Sequence, residues 1–236
     1  MTDEQRTLFC NNEAWNNFKT RIWFIKKDGR YGCAFVGFDN GWAQGGLNAK
    51  GLAFDWVAGF SEKWEPGKES KTVEGNSSQI VLETCATVDE AIAFYKTINE
   101  KSFTYAKILI ADRSGASVII GARDGRIDIQ KMRQTRGFGY GESIIYRMFG
   151  QNPEPSIKNA ACILKEVMQK GLYATKYSNI FNLKNGDIHI FNVPEADGSI
   201  RLNLDQELQK GDHYYDIPYL SAQFGKKAMP LLQNMK

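Results

Sequence analysis

Short runs of β-branched and aromatic residues alternate with Gly, Asp and Asn along much of the chain, a pattern typical of strands joined by hairpin turns. The strands that we predict cover residues 3–9, Thr20–Ile25, Tyr31–Phe38, a glycine-rich strand over residues 44–48, Leu52–Val57, Tyr105–Asp112, Ala116–Ala122, Arg126–Met132, Thr175–Asn182, Asp187–Asn192 and Ile200–Leu204. Asp-Gly and Asn-Gly pairs separate several of these strands, and such pairs favour tight hairpins. We therefore expect antiparallel sheets.

Four segments are predicted as helices, and two of them have end signals. They are residues 77–84, a segment capped by Thr87 that runs to about Ile98, residues 142–149, and a segment from Ser156 to Gln169 that Gly171 ends. Pro194–Gly198 is predicted as a loop, and residues 205–236 as a short helix with extended segments. The order of strands and helices predicts an α+β fold. Because no repeat or linker interrupts it, we expect one domain over residues 1–236.

Composition excludes several classes of protein. Of the 236 residues, 42% are hydrophobic and 24% charged, which suits a globular protein with a sizeable core. The net charge of +3 is spread along the chain, so we expect no nucleic-acid partner. No apolar run approaches the ~18–20 residues of a membrane span, and the first residues lack an apolar signal core. We therefore expect a cytoplasmic protein with no membrane partner. Its four cysteines form no C-x-x-C pair, which argues against a zinc or redox site.

The stretch Leu8–Asn17 has the highest density of candidate functional side chains in the sequence, with a thiol, a carboxylate, an indole and four Asn side chains. Cys10, expected at the end of the first strand, is a candidate nucleophile. His189 is expected on the solvent side of a strand and His213 in a surface turn, so a Cys–His pair has little support. A terminal cysteine can use its own α-amine as the base, but this would require removal of Met1–Phe9. Packing at the strand end is the alternative role for Cys10.

Other side chains could hold a substrate, and each also has a structural alternative. Asn12, Asn48 and Asn179 could steady an oxyanion or an amide, but Asn beside a strand also serves turns. Trp56 could line an acyl pocket or belong to the core. Arg147, among apolar neighbours on a short helix, either pairs with a buried carboxylate or faces solvent.

Several segments taken together resemble one family, the linear-amide C–N hydrolases of the choloylglycine hydrolase and penicillin V acylase group, with the related self-cleaving acyltransferases. The segments occur in the same order as in that family and span nearly the whole chain. They are Leu8–Trp15, Gly45–Leu52, Val88–Ala91, Ile108–Gly125 and Tyr177–Asn179.

The resemblance implies the N-terminal-nucleophile hydrolase fold, in which two stacked antiparallel sheets lie between helical layers (αββα). It also implies acyl transfer from a small acyl amide to a terminal Cys, followed by hydrolysis, with no cofactor and no metal. Such proteins often form homo-oligomers. The family's Gly-Arg-Asn-x-Asp motif falls on residues 10–14, so its nucleophile would precede Met1, and the start of the first strand would be missing. Cys10 then takes the glycine position, Asn11 the arginine position and Ala14 the aspartate position.

The family's Thr-Asn oxyanion pair corresponds to Thr135-Arg136, and its late arginine corresponds to Arg147. The candidate catalytic residues are Cys10, Asn11, Asn12 and Arg147. The candidate substrate-binding residues are Trp15, Asn48, Trp56 and Arg136.

Three explanations stay open at this point. The chain could be a truncated copy of an amidase, or a diverged relative that binds a small ligand or has a structural role without hydrolysis. Alternatively, self-cleavage could make Cys10 terminal. The changes at Ala14 and Arg136 favour the non-catalytic relative, because truncation alone would not alter internal positions.

Overall fold

The computed structural model of the chain describes residues 1–150, 154–192, 199–220 and 229–230. The predicted loop Pro194–Gly198 and most of the predicted tail beyond residue 220 lie outside these ranges. No helix within them is both long enough and apolar enough to span a membrane.

The strands are β1 (Leu8–Ala14), β2 (Thr20–Ile25), β3 (Cys33–Phe38), β4 (Ala43–Asn48), β5 (Leu52–Ala58), β6 (Ala106–Asp112), β7 (Ser117–Arg123), β8 (Arg126–Met132), β9 (Thr175–Asn182), β10 (Asp187–Asn192), β11 (Ile200–Asn203), β12 (His213–Asp216) and β13 (Met229–Pro230). The helices are α1 (Ser77–Thr84), α2 (Val88–Tyr95), α3 (Glu142–Phe149), α4 (Ile157–Glu166) and α5 (Leu204–Leu208). The predicted positions of most of these elements are confirmed.

The strands form two antiparallel sheets. The smaller sheet has the order β1-β9-β10-β11, and the larger has the order β13-β12-β2-β3-β4-β5-β6-β7-β8. Nearly all neighbours in the larger sheet are consecutive in the chain, which is the arrangement that short hairpin turns produce. In the smaller sheet β1 is an edge strand and pairs with β9 from the far end of the sequence.

Alternation along the strands places apolar side chains on both faces of each sheet. The inner faces meet in a core that includes Phe24 and Phe181. Helices α1 and α2 cover the outer face of the larger sheet through residues such as Leu82 and Tyr95. Helix α4 covers the outer face of the smaller sheet through Leu164. The predicted four-layer αββα arrangement is therefore confirmed.

Two helices end earlier than predicted, because backbone groups after them bond elsewhere. After α2, the amide of Asn99 donates to the carbonyl of Lys71 at 2.9 Å instead of continuing the helix toward Ile98. After α4, the amide of Gln169 donates to Oγ1 of Thr175 at 2.9 Å. Ser156 caps α4 as predicted, since its side chain accepts from the amide of Asn159.

The first strand lies further along the chain than the predicted range of residues 3–9. Asp3 accepts the amides of Gln5 and Arg6 at 2.8 and 2.6 Å, which makes the early residues a turn. The strand instead continues through the polar residues up to Ala14. Cys10 is therefore in mid-strand, opposite Ile180, and does not end the strand.

Candidate functional site

A cavity of about 120 Å³ lies beside the edge strand β1, between the end of the larger sheet and helices α3 and α4. Its wall is mainly apolar, with contributions from both sheets and both helices. The apolar residues include Leu8, Phe9, Leu109, Ala111, Phe138, Ile145, Phe149, Ala160, Ile163, Leu164 and Val167. An apolar wall with a few polar groups is the usual composition of a small-molecule site.

The polar groups of the cavity include Thr135 and Arg136, which follow β8. Oγ1 of Thr135 accepts the amide of Thr2 at 3.0 Å, which ties this segment to the N-terminal turn. Nη1 of Arg136 donates to the carbonyl of Gln130 at 2.8 Å. Nε of Arg136 is buried and has no hydrogen-bond partner among the described residues. Burial lowers the pKa of Arg136 below its ordinary range. Arg136 therefore places a guanidinium group in the cavity wall, and one of its buried donors has no partner.

Cys10 also lines the cavity, on the same face of β1 as Leu8 and toward α4. Burial raises the pKa of its thiol above the ordinary value of 9.0. The thiol is therefore protonated at neutral pH, whereas nucleophilic attack needs the thiolate. Neither histidine lines the cavity. Within the described residues, Cys10 thus has no histidine base beside it.

His213 is not in a surface turn as predicted. It begins β12 and is only 1% exposed. Its Nε2 lies 2.9 Å from Oε2 of Glu207, and its ring stacks on Phe24 with centroids 4.8 Å apart. The sequence Gly211-Asp212 favours a turn, but the pairing of β12 with β2 buries His213, the residue that follows. His189, which is half-buried, contacts Oγ of Ser199 at 3.0 Å.

Asn12 and Asn48 use their amide groups to hold elements of the fold. Nδ2 of Asn12 donates to the carbonyl of Leu164 at 2.8 Å, which fastens α4 to β1. Nδ2 of Asn48 donates to the carbonyls of Leu82 and Cys85 at 2.7 and 2.8 Å. Oδ1 of Asn48 accepts two amides of the β4–β5 turn. Both residues lie outside the cavity wall.

Trp15, Trp56 and Arg147 also lie outside the cavity wall. Trp15 is 49% exposed and packs on Tyr173. Nε1 of Trp56 donates to Oγ of Ser78 at 2.9 Å, on the side of the larger sheet that α1 covers. Arg147 is on the exposed face of α3, whose other face contributes to the cavity. Helical phase therefore turns Arg147 away from the site.

A second group of polar side chains lies between the two sheets, and we call it the inter-sheet cluster: Asn11, Glu13, Asp55, Tyr177 and Asn179. In the β1–β9 pair, Asn11 is opposite Asn179 and Glu13 is opposite Tyr177. These four residues share the inner face of the smaller sheet with Phe9 and Phe181, because alternate residues of a strand point the same way. Asp55 reaches the cluster from β5 of the larger sheet.

Gly45 makes room for the carboxylate of Asp55. The two residues are opposite each other in the β4–β5 pair. A Cβ atom on Gly45 would lie 3.0 Å from Oδ1 of Asp55 and 3.2 Å from the carbonyl of Phe54. The glycine-rich strand in the sequence thus serves close packing around a buried acid.

The inter-sheet cluster has unusual electrostatics. Burial raises the pKa of Glu13 from 4.5 to about 8, although the residue as a whole is partly exposed along the edge strand. Burial and, secondarily, the charge of Glu13 raise the pKa of Asp55. Burial also raises the pKa of Tyr177. Acidic groups with shifted pKa values often cluster at functional sites.

Sequence reasoning selected Asn11 and Asn179 but missed Glu13, Asp55 and Tyr177. The spacing in β1 could have indicated Glu13, because Asn11 and Glu13 are two residues apart and so share a face with Phe9. An acid in the apolar run Ala53–Val57 was the second signal, because a charged residue inside a buried strand needs a compensating partner.

Comparisons with known proteins agree with this architecture. No protein-family model and no curated protein sequence matches the chain. Among solved structures, penicillin V acylase from Agrobacterium tumefaciens aligns with a TM-score of 0.70 and 13% identity over 91% of this chain and 89% of that one. A variant of conjugated bile acid hydrolase from Clostridium perfringens aligns with a TM-score of 0.70 and 14% identity over 96% of both chains.

The fold is that of the N-terminal-nucleophile hydrolases. This confirms the fold that the resemblance implied. An N-acylethanolamine-hydrolyzing acid amidase ortholog from Caenorhabditis elegans is more distant, with a TM-score of 0.55 and 11% identity over 84% of this chain and 95% of that one. At these identities the likeness concerns the fold alone.

Proposed function

We propose that this protein binds small N-acyl amides in the cavity beside β1. The observation that carries the proposal is the apolar cavity with Arg136 in its wall, where a buried Nε has no partner. The acyl group would pack among residues such as Phe138, Ile145 and Phe149. The amide carbonyl would accept a hydrogen bond from Arg136. Leaving a buried donor unsatisfied costs about 1–3 kcal/mol, so a ligand that supplies an acceptor recovers part of that cost.

The size of the cavity narrows the class of ligand. Its volume of about 120 Å³ is slightly below that of an engineered cavity of ~150 Å³ that binds benzene. An aryl group or a short acyl chain fits this space, whereas a fused-ring acyl group would extend beyond it. We therefore expect phenoxyacetyl or short-chain amides to bind more tightly than bile acid amides.

Hydrolysis of a linear amide C–N bond is the second candidate function. The solved structures that share the fold favour it, since they are described as an acylase, a hydrolase and an amidase. The protonated, buried thiol of Cys10 argues against that residue as the nucleophile. Hydrolysis would then need a nucleophile other than Cys10, and binding without turnover is the simpler proposal for the described residues.

One experiment tests both candidates. The protein is mixed with penicillin V, an N-acylglycine and an N-acylethanolamine, and calorimetry measures binding while an amine-reactive dye measures release of the amine. Binding without release supports the first proposal, and release that depends on the protein supports the second. Arg136→Gln should weaken binding by about tenfold, which is a typical effect of losing one hydrogen bond to a charged group.

Arg147→Gln is the matched control, because it removes the same charge from the exposed face of α3. If both arginine variants bind like the wild type, the ligand does not use Arg136. If the wild-type protein neither binds nor cleaves any of the three compounds, the proposal of an acyl-amide site fails.

A further inference from the structure

The inter-sheet cluster contains two buried carboxylates with no cationic side chain beside them. Among the described residues, neither Glu13 nor Asp55 takes part in an ion pair, although eleven pairs occur elsewhere. Lys107, an inner-face cation of the neighbouring strand β6, places its Nζ 3.5 Å from Glu62 and over the ring of Phe60. A buried carboxyl group is either protonated or ionised beside a cation or a metal, and no cationic side chain of the described residues serves here.

The neutral members of the cluster also lack partners. The side chains of Tyr177 and Asn179 are at most 1% exposed. The hydroxyl of Tyr177, both amide atoms of Asn179 and Oδ1 of Asp55 make no hydrogen bond within the described structure. Most buried polar atoms in proteins have a partner, and here several orphaned ones come together in one place. Their convergence indicates a bound species.

The oxygens of the cluster define the chemistry of that species. Two carboxylates, one amide oxygen and one phenol oxygen are hard donors, which suit Ca²⁺ or Mg²⁺ and not the softer zinc or copper. No group of three or more His, Cys, Asp or Glu side chains comes together among the described residues, so neutral oxygens would complete the coordination. Ca²⁺ tolerates such mixed and irregular ligand sets better than Mg²⁺ does.

We propose that Glu13, Asp55, Tyr177 and Asn179 bind a divalent cation of the calcium type between the two sheets. Glu13, Tyr177 and Asn179 belong to the smaller sheet, and Asp55 belongs to the larger one. The cation would displace the protons of the two carboxyl groups, bind both groups in their ionised form and cross-link the two sheets. Its role would be structural, and it differs from the proposed acyl-amide binding, which uses other residues.

The test uses the full chain after treatment with a chelator. Thermal unfolding is measured with and without millimolar CaCl₂ or MgCl₂, and Tb³⁺ luminescence sensitised by nearby aromatic residues reports direct binding. We expect CaCl₂ to raise Tm by about 3 °C or more, as ligands that bind only the folded state do. Glu13→Gln and Tyr177→Phe should each lose most of this shift and most of the luminescence.

Asp89→Asn is the matched control, because Asp89 is an exposed acid on α2 that pairs with Lys131. It should keep the full shift. Tyr177→Phe protects the test against a folding failure, since it removes one oxygen and keeps the ring. The proposal is overturned if neither cation changes the Tm of the wild-type protein and Tb³⁺ does not bind. It is also overturned if Glu13→Gln and Tyr177→Phe keep the wild-type response.

Discussion

Glu13 and Asp55 belong to different sheets, yet their carboxyl groups share one buried space in which the charge of Glu13 raises the pKa of Asp55. The pairing is a consequence of the fold, because strand β1 enters the smaller sheet with its alternate residues facing β5. Ionisation of both carboxyl groups at the interface of the two sheets is therefore unfavourable. The free-energy cost of this ionisation depends on pH and on the ions present.

The first prediction concerns pH. The pKa of Glu13 is 4.5 ordinarily and about 8 in the folded protein. As pH rises from about 4.5 to 8, the unfolded chain releases its proton while the folded chain retains it, so stability falls across that range. In the presence of a chelator, Glu13→Gln should be more stable than the wild type at about pH 8, by about 2 kcal/mol once the partial exposure of Glu13 is allowed for.

At about pH 4 the two proteins should have similar stability, because Glu13 is then largely protonated in both states. Urea unfolding at several pH values measures the difference. A constant difference between Glu13→Gln and the wild type from acidic to alkaline pH would contradict the raised pKa of Glu13.

The second prediction concerns Cys10. Its thiol is protonated and packs between β1 and α4, so Cys10→Ala should cost only about 1 kcal/mol of stability. Binding of acyl amides should persist, because Arg136 is unchanged. Calorimetry and urea unfolding measure the two effects.

Any amide turnover that disappears in Cys10→Ala would show that the thiol is a nucleophile after all. N-terminal sequencing gives an independent check, since a chain that begins with Cys-Asn-Asn would reveal self-cleavage before Cys10.

The hairpin turns in the sequence were sufficient to predict antiparallel sheets in an α+β fold, whereas the four layers were predicted from the family resemblance. The sequence was insufficient to predict where strand β1 begins and ends. The polar residues from Asn11 to Glu13 look like the end of a strand, and only pairing with β9 supplies the buried partners that keep them in the sheet. Sequence alone does not show that long-range pairing.

Only some of the residues selected from the sequence lie at the cavity, because their positions also depend on long-range packing. Arg136 and Cys10 reach the cavity, but Arg147 does not, because the phase of α3 relative to its neighbours depends on packing. Asn48 was selected as a polar side chain near glycines. Its actual partners are carbonyls at the end of α1, more than thirty positions away.

The third prediction concerns Asn48. Its side chain makes four hydrogen bonds and is 1% exposed. Asn48→Ala should therefore lower the free energy of unfolding by about 3 kcal/mol, since it leaves buried carbonyls and amides unsatisfied. Asn16→Ala, which changes an exposed residue, should cost less than about 0.5 kcal/mol. Similar losses in the two variants would contradict the structural role of Asn48.

The last prediction uses the cavity itself. Ala160 is 1% exposed on α4 and lines the cavity, while its neighbour Ala161 is half-buried and does not. Ala160→Leu adds three carbon atoms to a space of about 120 Å³, so it should occupy much of the room that an acyl group needs.

We expect Ala160→Leu to weaken binding of a phenoxyacetyl amide by tenfold or more, roughly the loss of 1.4 kcal/mol. Overpacking should cost about 1–2 kcal/mol of stability, so binding must be measured well below the unfolding temperature. Ala161→Leu adds the same atoms outside the cavity and should bind like the wild type. Equal binding by both variants and the wild type would place the ligand elsewhere, because a filled cavity cannot accept the acyl group.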